Sequence, residues 1–344
     1  MLGLRVSAEM GEKTKRTLLE AGLLDKGHQI SPDNGMLVFP LLREPDEFIV
    51  EKLNGEVIAF EAQKRNYTKE RPFDRIKREL AHLPDNVLES IPMHWERYGH
   101  LLALHLSEEL RPYFKEIATA YADVLGCHTV ILDRGGIAGE YREPIAEVIY
   151  GTLTETTHIE NGIRYTFDAA RIMFSSGNVD ERVRMGGLKC GGETVVDMFA
   201  GIGYFSLPLA KYTGAERVIS IEKNPVAYRY LLKNMEQNRL NNITAYRMDN
   251  RDFKEEGIAD RIIMGYIGTT HHFLDKALSI LKERGVIHYH ETCPEALLPE
   301  RPIKRLKEAG KRNGRRTVKT SMRRIKSYAP GVYHVVVDAE FMPD

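Results

Sequence analysis

Apolar and polar positions follow changing rhythms along the chain. In residues 9–21 a helical stretch carries Leu18 and Leu19 and stops at Gly22, and Ser31-Pro32-Asp33-Asn34-Gly35 makes a turn before the apolar run Met36-Leu37-Val38-Phe39-Pro40. A small mixed unit is predicted there. Residues 66–72 turn polar and basic and read as a linker. A helix is predicted over 71–83, where Phe73, Ile76, Leu80 and Leu83 recur at helical spacing and Arg75, Lys77 and Arg78 take the other face. Strands at 101–106 and 129–132, an amphipathic helix at 112–125 and a hairpin within 151–167 mix without a regular βαβ alternation, which predicts an α+β unit.

From Thr194 the rhythm changes. Strand-like runs at 195–199, 217–222, 243–248, 261–266 and 286–290 are mostly separated by helix-length segments, notably 225–238 and 271–282, and a strand pair at 324–328 and 332–341 closes the pattern. Alternation at this spacing predicts a doubly wound, mostly parallel α/β sheet. The expected division is a small N-terminal domain over 1–62, an α+β domain over 63–165 taken to contact RNA, and a Rossmann-like α/β domain over 166–344.

Composition excludes a disordered or collagen-like chain: of 344 residues, 42% are hydrophobic and 28% charged. The apolar runs are only strand-length and no basic stretch leads into an apolar segment with a cleavage site, so a cytoplasmic protein without a membrane span is expected. Cys127, Cys190 and Cys293 are too scattered to signal a disulfide framework or a zinc knuckle. The formal net charge is zero, yet residues 301–326 hold twelve lysines and arginines against Glu308 alone, a balance of +11. Such mutual repulsion calls for a nearby anion, and the run is expected to face nucleic acid; a solvated helix face is the alternative, which would move the RNA surface to the helix at 71–78.

The chemistry is carried by Asp197-Met198-Phe199-Ala200-Gly201-Ile202-Gly203, directly after the first strand of the predicted sheet. Gly201 and Gly203 allow a tight turn that brings backbone against a ligand. A dinucleotide fingerprint would continue with a third glycine at 206, where Ser206 stands, which weakens the case for a nicotinamide-dependent enzyme. S-adenosylmethionine carries no phosphate for a helix N-terminus, and Asp197 suits its ammonium group. Glu222, 21 residues after Gly201 and at the end of the second strand, is placed to accept from both ribose hydroxyls, and Asp249 and Asn250 follow the third strand where an adenine amino group would lie.

On these blocks, together with Ala170-Arg171-Ile172-Met173-Phe174-Ser175, Asn178, Glu181-Arg182-Val183-Arg184-Met185, 259–266 and Ile287-His288-Tyr289-His290, residues 70–344 resemble the archaeal wybutosine-synthesis aminocarboxypropyltransferases and the wider relatives that methylate guanosine 37 of tRNA at N1. The first sixty residues look like the small N-terminal domain of the methylating branch. The resemblance implies a class I S-adenosylmethionine-dependent methyltransferase fold. It implies S-adenosylmethionine as substrate without a metal, the anticodon loop of tRNA, tRNA(Phe) in particular, as partner, and no obligate protein partner. In the methylating relatives Asn-Pro-Pro or Asn-Leu-Pro follows the fourth strand; here Met264-Gly265-Tyr266-Ile267-Gly268-Thr269-Thr270 stands there, which resembles the aminocarboxypropyl branch. That branch also makes Ser175 and Arg182 ligand contacts. Arg182 could pair with the methionine carboxylate or a phosphate, or else with Asp180 or Glu181. His288 and His290 read as packing or pocket lining, and no residue is singled out as a general base.

The expected activity is transfer of the 3-amino-3-carboxypropyl group to C7 of 4-demethylwyosine at position 37, releasing methylthioadenosine. Guanosine N1-methylation is the second reading, and an RNA-binding protein with a vestigial ligand fold the third.

Overall fold

A computed structural model describes residues 1–64 and 70–344; most of the expected 66–72 linker lies outside the described residues. The chain divides into two compact units, Met1–Arg75 and Ile76–Asp344. In the first, β1 (Leu2–Ser7), α1 (Gly11–Glu20), β2 (Ser31–Asp33), β3 (Met36–Pro40), α2 (Glu47–Lys52) and β4 (Glu56–Ala59) form a sheet of order β2-β3-β1-β4 around Leu4, Val6, Leu18, Phe39 and Leu53.

After α3 (Pro72–Glu79), the larger unit continues with α4 (Asp85–Ser90), β5 (Glu96–Tyr98), β6 (Leu101–Leu104), α5 (Phe114–Leu125), β7 (Thr129–Ala138) and β8 (Glu143–Tyr150), whose strands make a sheet of order β5-β6-β7-β8. The helix predicted from 112 begins only at Phe114, because Pro112 sits in a preceding 3₁₀ turn, Glu108–Tyr113. The hairpin β9 (Glu155–Glu160) and β10 (Ile163–Asp168) packs onto a helix of the following domain: Arg164 and Thr166 donate their backbone N–H groups to Asn238 and Asn234. No break in packing therefore falls near the expected boundary at 165.

Beyond α6 (Val179–Gly186), the alternating region runs β11 (Thr194–Asp197), α7 (Ser206–Tyr212), β12 (Arg217–Glu222), α8 (Pro225–Gln237), β13 (Ile243–Arg247), β14 (Ala259–Met264), α9 (Leu274–Ile280), β15 (Leu281–Pro294), α10 (Glu300–Arg312), β16 (Arg315–Ala329) and β17 (Val332–Pro343). The sheet order is β13-β12-β11-β14-β15-β17-β16, parallel except where β17 joins β15 and β16. Strands buried on both faces supply the core: Val196, Ile219, Ile262, Ile287 and Val337 have no exposed surface. Asn224 caps α8 by accepting from Val226 and Ala227, with Pro225 in the first turn.

β16 starts nine residues earlier than the expected strand at 324. Its alternation of charged and small polar residues hides a strand from sequence reading, yet long antiparallel pairing with β17 holds it at the sheet edge.

Candidate active site

Parallel order brings the carboxyl ends of β12, β11 and β14 side by side, and the loops that leave them enclose a cavity of about 570 Å³. Gly201 forms the turn after β11 with φ +57, and a Cβ there would lie 2.6 Å from the Tyr204 ring. Glu222 locks this turn to the next strand. Its Oε2 accepts the Gly201 N–H at 2.7 Å and its Oε1 the Asn224 N–H at 2.7 Å. Each carboxylate oxygen keeps a lone pair for a ligand. Burial raises the Glu222 carboxyl above its usual range, against the pull of those two N–H groups.

Asp197 is fully buried behind the turn, where Oδ2 accepts from the Ser206 hydroxyl at 2.8 Å and Oδ1 from the Phe199 N–H at 3.2 Å. Burial pushes its carboxyl up to about 6, and the neighbouring Glu222 charge adds to the rise. Asp249 differs. Its contacts with Arg251 hold it down to about 2, so this carboxylate is already neutralised by its own loop. Asn250 donates to Met198 O at 3.0 Å, while its Oδ1 is buried at the cavity with no partner among the described residues.

Of the residues expected from sequence, Ser175, Gly201, Glu222, Asp249 and Asn250 come together on the cavity, whereas Asp197, Gly203 and Arg182 do not line it. Arg182 is 3% exposed and forms a bidentate pair with Glu160 at 2.6 Å on both oxygens, so its partner is neither Asp180 nor Glu181. Its third contact is to Ser175 O, which makes it a brace for the Ser175 loop. Gly203 has φ +99 and faces the core, not the cavity.

Several lining residues are not among the ligand contacts expected from sequence. Lys326 belongs to the basic run in sequence, but it lies in the cavity, donating to Ser175 Oγ at 2.7 Å, and burial lowers its pKa. His334 and Asn178 line the same end. Phe199 stacks on Tyr266 with ring centroids 5.1 Å apart, and the Arg142 guanidinium lies over Tyr266. Only the register of β16 on β17, which sets Lys326 opposite His334, brings that end together.

The rest of the basic run is not one face. Arg301 and Arg305 pair with buried Glu291, Arg312 with Asp275, Arg323 with Asp338 and Arg324 with Glu295. Arg315 donates to the carbonyls of Leu281 and Lys282. Lys307, Lys311 and Lys319 are exposed and enter no ion pair among the described residues. His288 and His290 are buried, His288 against Asp338 and Arg261 and His290 against His334.

The sheet order and the Gly201–Glu222 cradle define a class I S-adenosylmethionine-dependent transferase site. The donor set fits that ligand: Glu222 lone pairs suit ribose hydroxyls, and the orphaned Asn250 Oδ1 suits an amino group. Family models agree. Residues 156–318 match the TRM5/TYW2 methyltransferase domain, 76–155 the TYW2 N-terminal domain and 3–49 the tRNA methyltransferase 5 N-terminal domain.

The chain is 50% identical over 257 residues to the tRNA(Phe) (4-demethylwyosine(37)-C(7)) aminocarboxypropyltransferase of Pyrococcus horikoshii, covering 74% of this chain and 92% of that one. It is 33% identical to the tRNA (guanine(37)-N(1))-methyltransferase Trm5b of Pyrococcus abyssi, covering 98% of each. Among solved structures, P. horikoshii TYW2 in complex with MeSAdo superposes with a TM-score of 0.73 at 46% identity over 79% of this chain and all of that one. The chain belongs to the TRM5/TYW2 family.

Proton linkage follows from Asp197. Its raised folded-state pKa means the folded protein holds a proton between about pH 4 and 6 that the unfolded chain releases, so this carboxyl favours folding at low pH and its contribution fades as pH rises through about 6. Asp197 stands behind the cavity wall, so a cationic ligand favours its ionised form through the field across the glycine turn rather than by contact. S-adenosylmethionine affinity measured by calorimetry should rise by up to about tenfold from pH 5 to 7, and Asp197→Asn should flatten the profile. A flat wild-type profile would remove Asp197 from the cation's surroundings.

Proposed function

We propose that this protein transfers the 3-amino-3-carboxypropyl group of S-adenosylmethionine to C7 of 4-demethylwyosine at position 37 of tRNA(Phe), releasing methylthioadenosine, in the cytoplasm. The observation that carries the reading is the 50% identity to the Pyrococcus horikoshii aminocarboxypropyltransferase over 92% of its length, joined to a cavity whose β14 loop offers Gly265, Tyr266 and Ile267 rather than an amide and prolines. The sulfonium activates both the methyl and the γ-carbon, and whichever carbon is held in line with the ring nucleophile is displaced. Ser175, Gly201, Glu222, Asp249 and Asn250 are the proposed ligand contacts at the cavity, with Asp197, Gly203 and Arg182 supporting them from behind. Full-length coverage of the guanosine N1-methyltransferase favours a second reading, methylation of guanosine 37.

Product analysis separates the two. Incubation with S-adenosylmethionine and tRNA bearing 4-demethylwyosine should release methylthioadenosine; S-adenosylhomocysteine with a methylated base would move the protein to the second reading.

The tRNA surface is expected to include the exposed lysines of α10 and β16. Lys307, Lys311 and Lys319 changed together to alanine should weaken tRNA binding and flatten the plot of log K against log salt by about 2–3 if each meets a phosphate, with S-adenosylmethionine affinity unchanged. An unaltered salt slope would place the RNA elsewhere.

A further inference from the structure

The β17 end of the cavity carries an imidazole that the packing of the sheet does not explain. His334 is 2% exposed and lines the cavity, and its Nε2 lies 3.0 Å from Nδ1 of His290, so one of the two nitrogens donates to the other. The remaining nitrogen of His290, Nε2, faces the Glu181 carboxylate at 3.7 Å, and Arg184 holds that carboxylate at 2.5 and 2.8 Å. A proton on His290 Nε2 is attracted by the carboxylate, and a lone pair there is repelled. His290 therefore keeps its proton on Nε2 and accepts at Nδ1, His334 donates from Nε2, and Nδ1 of His334 is left as a bare lone pair. That nitrogen is buried without a hydrogen-bond partner among the described residues, as is Nε2 of His290, and the Glu181 carboxylate near the latter is what assigns the proton there.

Burial, more than its charged neighbours, keeps the ring neutral. Burial, and then Lys326 on β16, bring His334 down to about 4. Burial lowers His290 well below the usual imidazole range, and His334 on β17, Arg184 on α6 and His288 on β15 lower it further, with Asp338 on β17 opposing them.

Strand order sets which substrate this end serves. Along the carboxyl edge, β13 and β12 carry the expected adenosine contacts, β11 the glycine turn, and β14, β15 and β17 follow. His334 pairs with Thr292, beyond the level of Tyr289 and of its partner Met264 at the end of β14. The imidazole thus lies on the side of the cavity away from the expected adenosine contacts, the side left for the acceptor base.

We propose that His334 is a catalytic residue whose bare Nδ1 receives the proton displaced from the acceptor ring carbon, with His290 and Glu181 as positioning residues that set its tautomer. The proposal rests on the transfer reaction proposed above. There the ring carbon bonds to the γ-carbon of S-adenosylmethionine, the γ-carbon–sulfur bond breaks with its electron pair going to sulfur, and the ring carries the positive charge. The C–H pair then returns to the ring and the proton passes to His334. A weak base suffices, because a protonated aromatic carbon is a far stronger acid than imidazolium. Lys326, opposite His334 across the β16–β17 pair, disfavours the imidazolium and so favours its release of the proton.

Two measurements test this. In protein labelled with nitrogen-15 histidine at pH 7, the signals lost in His334→Gln should be those of a neutral ring protonated at Nε2, and His290→Gln should shift them. A ring protonated at Nδ1, or an imidazolium, overturns the proposal. In single turnovers on tRNA deuterated at the acceptor carbon, His334→Gln should slow product formation by about a hundredfold and expose a primary isotope effect absent from wild type, with S-adenosylmethionine affinity within about threefold. Should that variant not fold, His290→Gln should show the isotope effect with a smaller loss of rate. Wild-type rates without an isotope effect in either folded variant overturn the assignment while methylthioadenosine is still released. S-adenosylhomocysteine from the wild-type enzyme instead removes the transfer reaction, and the proposal with it.

Discussion

Glu222→Ala is expected to weaken S-adenosylmethionine binding by about one to two orders of magnitude, since a hydrogen bond to a charged group is worth ~1.5–3 kcal/mol. Two losses combine in this variant. The carboxylate that would accept from the ribose disappears, and the Gly201 and Asn224 N–H groups that it holds at 2.7 Å lose their acceptor, so the glycine turn is no longer tied to β12. Glu222→Gln keeps one amide oxygen and should fall between the two. Calorimetry reads the affinity and circular dichroism the fold; a folded alanine variant with unchanged affinity would sink the assignment of Glu222.

Gly203→Ala is expected to cost stability rather than contact with ligand. Gly203 has φ +99, and an added Cβ would lie 2.6 Å from Leu207 Cγ and 3.1 Å from Leu231 Cδ1, two fully buried side chains. Strain in that backbone region and overpacking of a core each cost roughly 1–3 kcal/mol, so about 2–6 kcal/mol is expected together. The control is Gly192→Ala: φ is +75, but nothing lies within 4 Å of the added carbon, leaving backbone strain alone. Thermal denaturation should show a much larger drop for Gly203→Ala; equal drops would mean that packing around Gly203 relaxes freely.

The motif after β11 was legible because its requirements are local. A tight turn needs residues tolerant of positive φ within a few positions of a strand end, and Gly201, Gly203 and the strand before them are adjacent in sequence. Glu222 was legible for a related reason: a βαβ unit has a narrow range of lengths, so the acid at the next strand end could be placed by counting. Charge alone does not resolve residues 301–326. A run of cations looks like a single surface, but α10 and β16 turn its members in different directions, several onto acids distant in sequence such as Glu291, Asp275 and Asp338.

The amino-acid sequence by itself determined the alternating α/β sheet, the glycine turn and the acid that closes it, and thereby the ligand class, because strand periodicity, turn geometry and βαβ length are short-range properties. Only the tertiary structure decided that Arg182 braces the Ser175 loop through Glu160, that Asp197 stands behind the cavity wall, and that Lys326 and His334 share one end of it. Those outcomes depend on the register of antiparallel β15, β17 and β16 and on the packing of α6 beside them. A shift of one residue in that register would reverse which side chains face the cavity, and no local pattern in a polar edge strand specifies it.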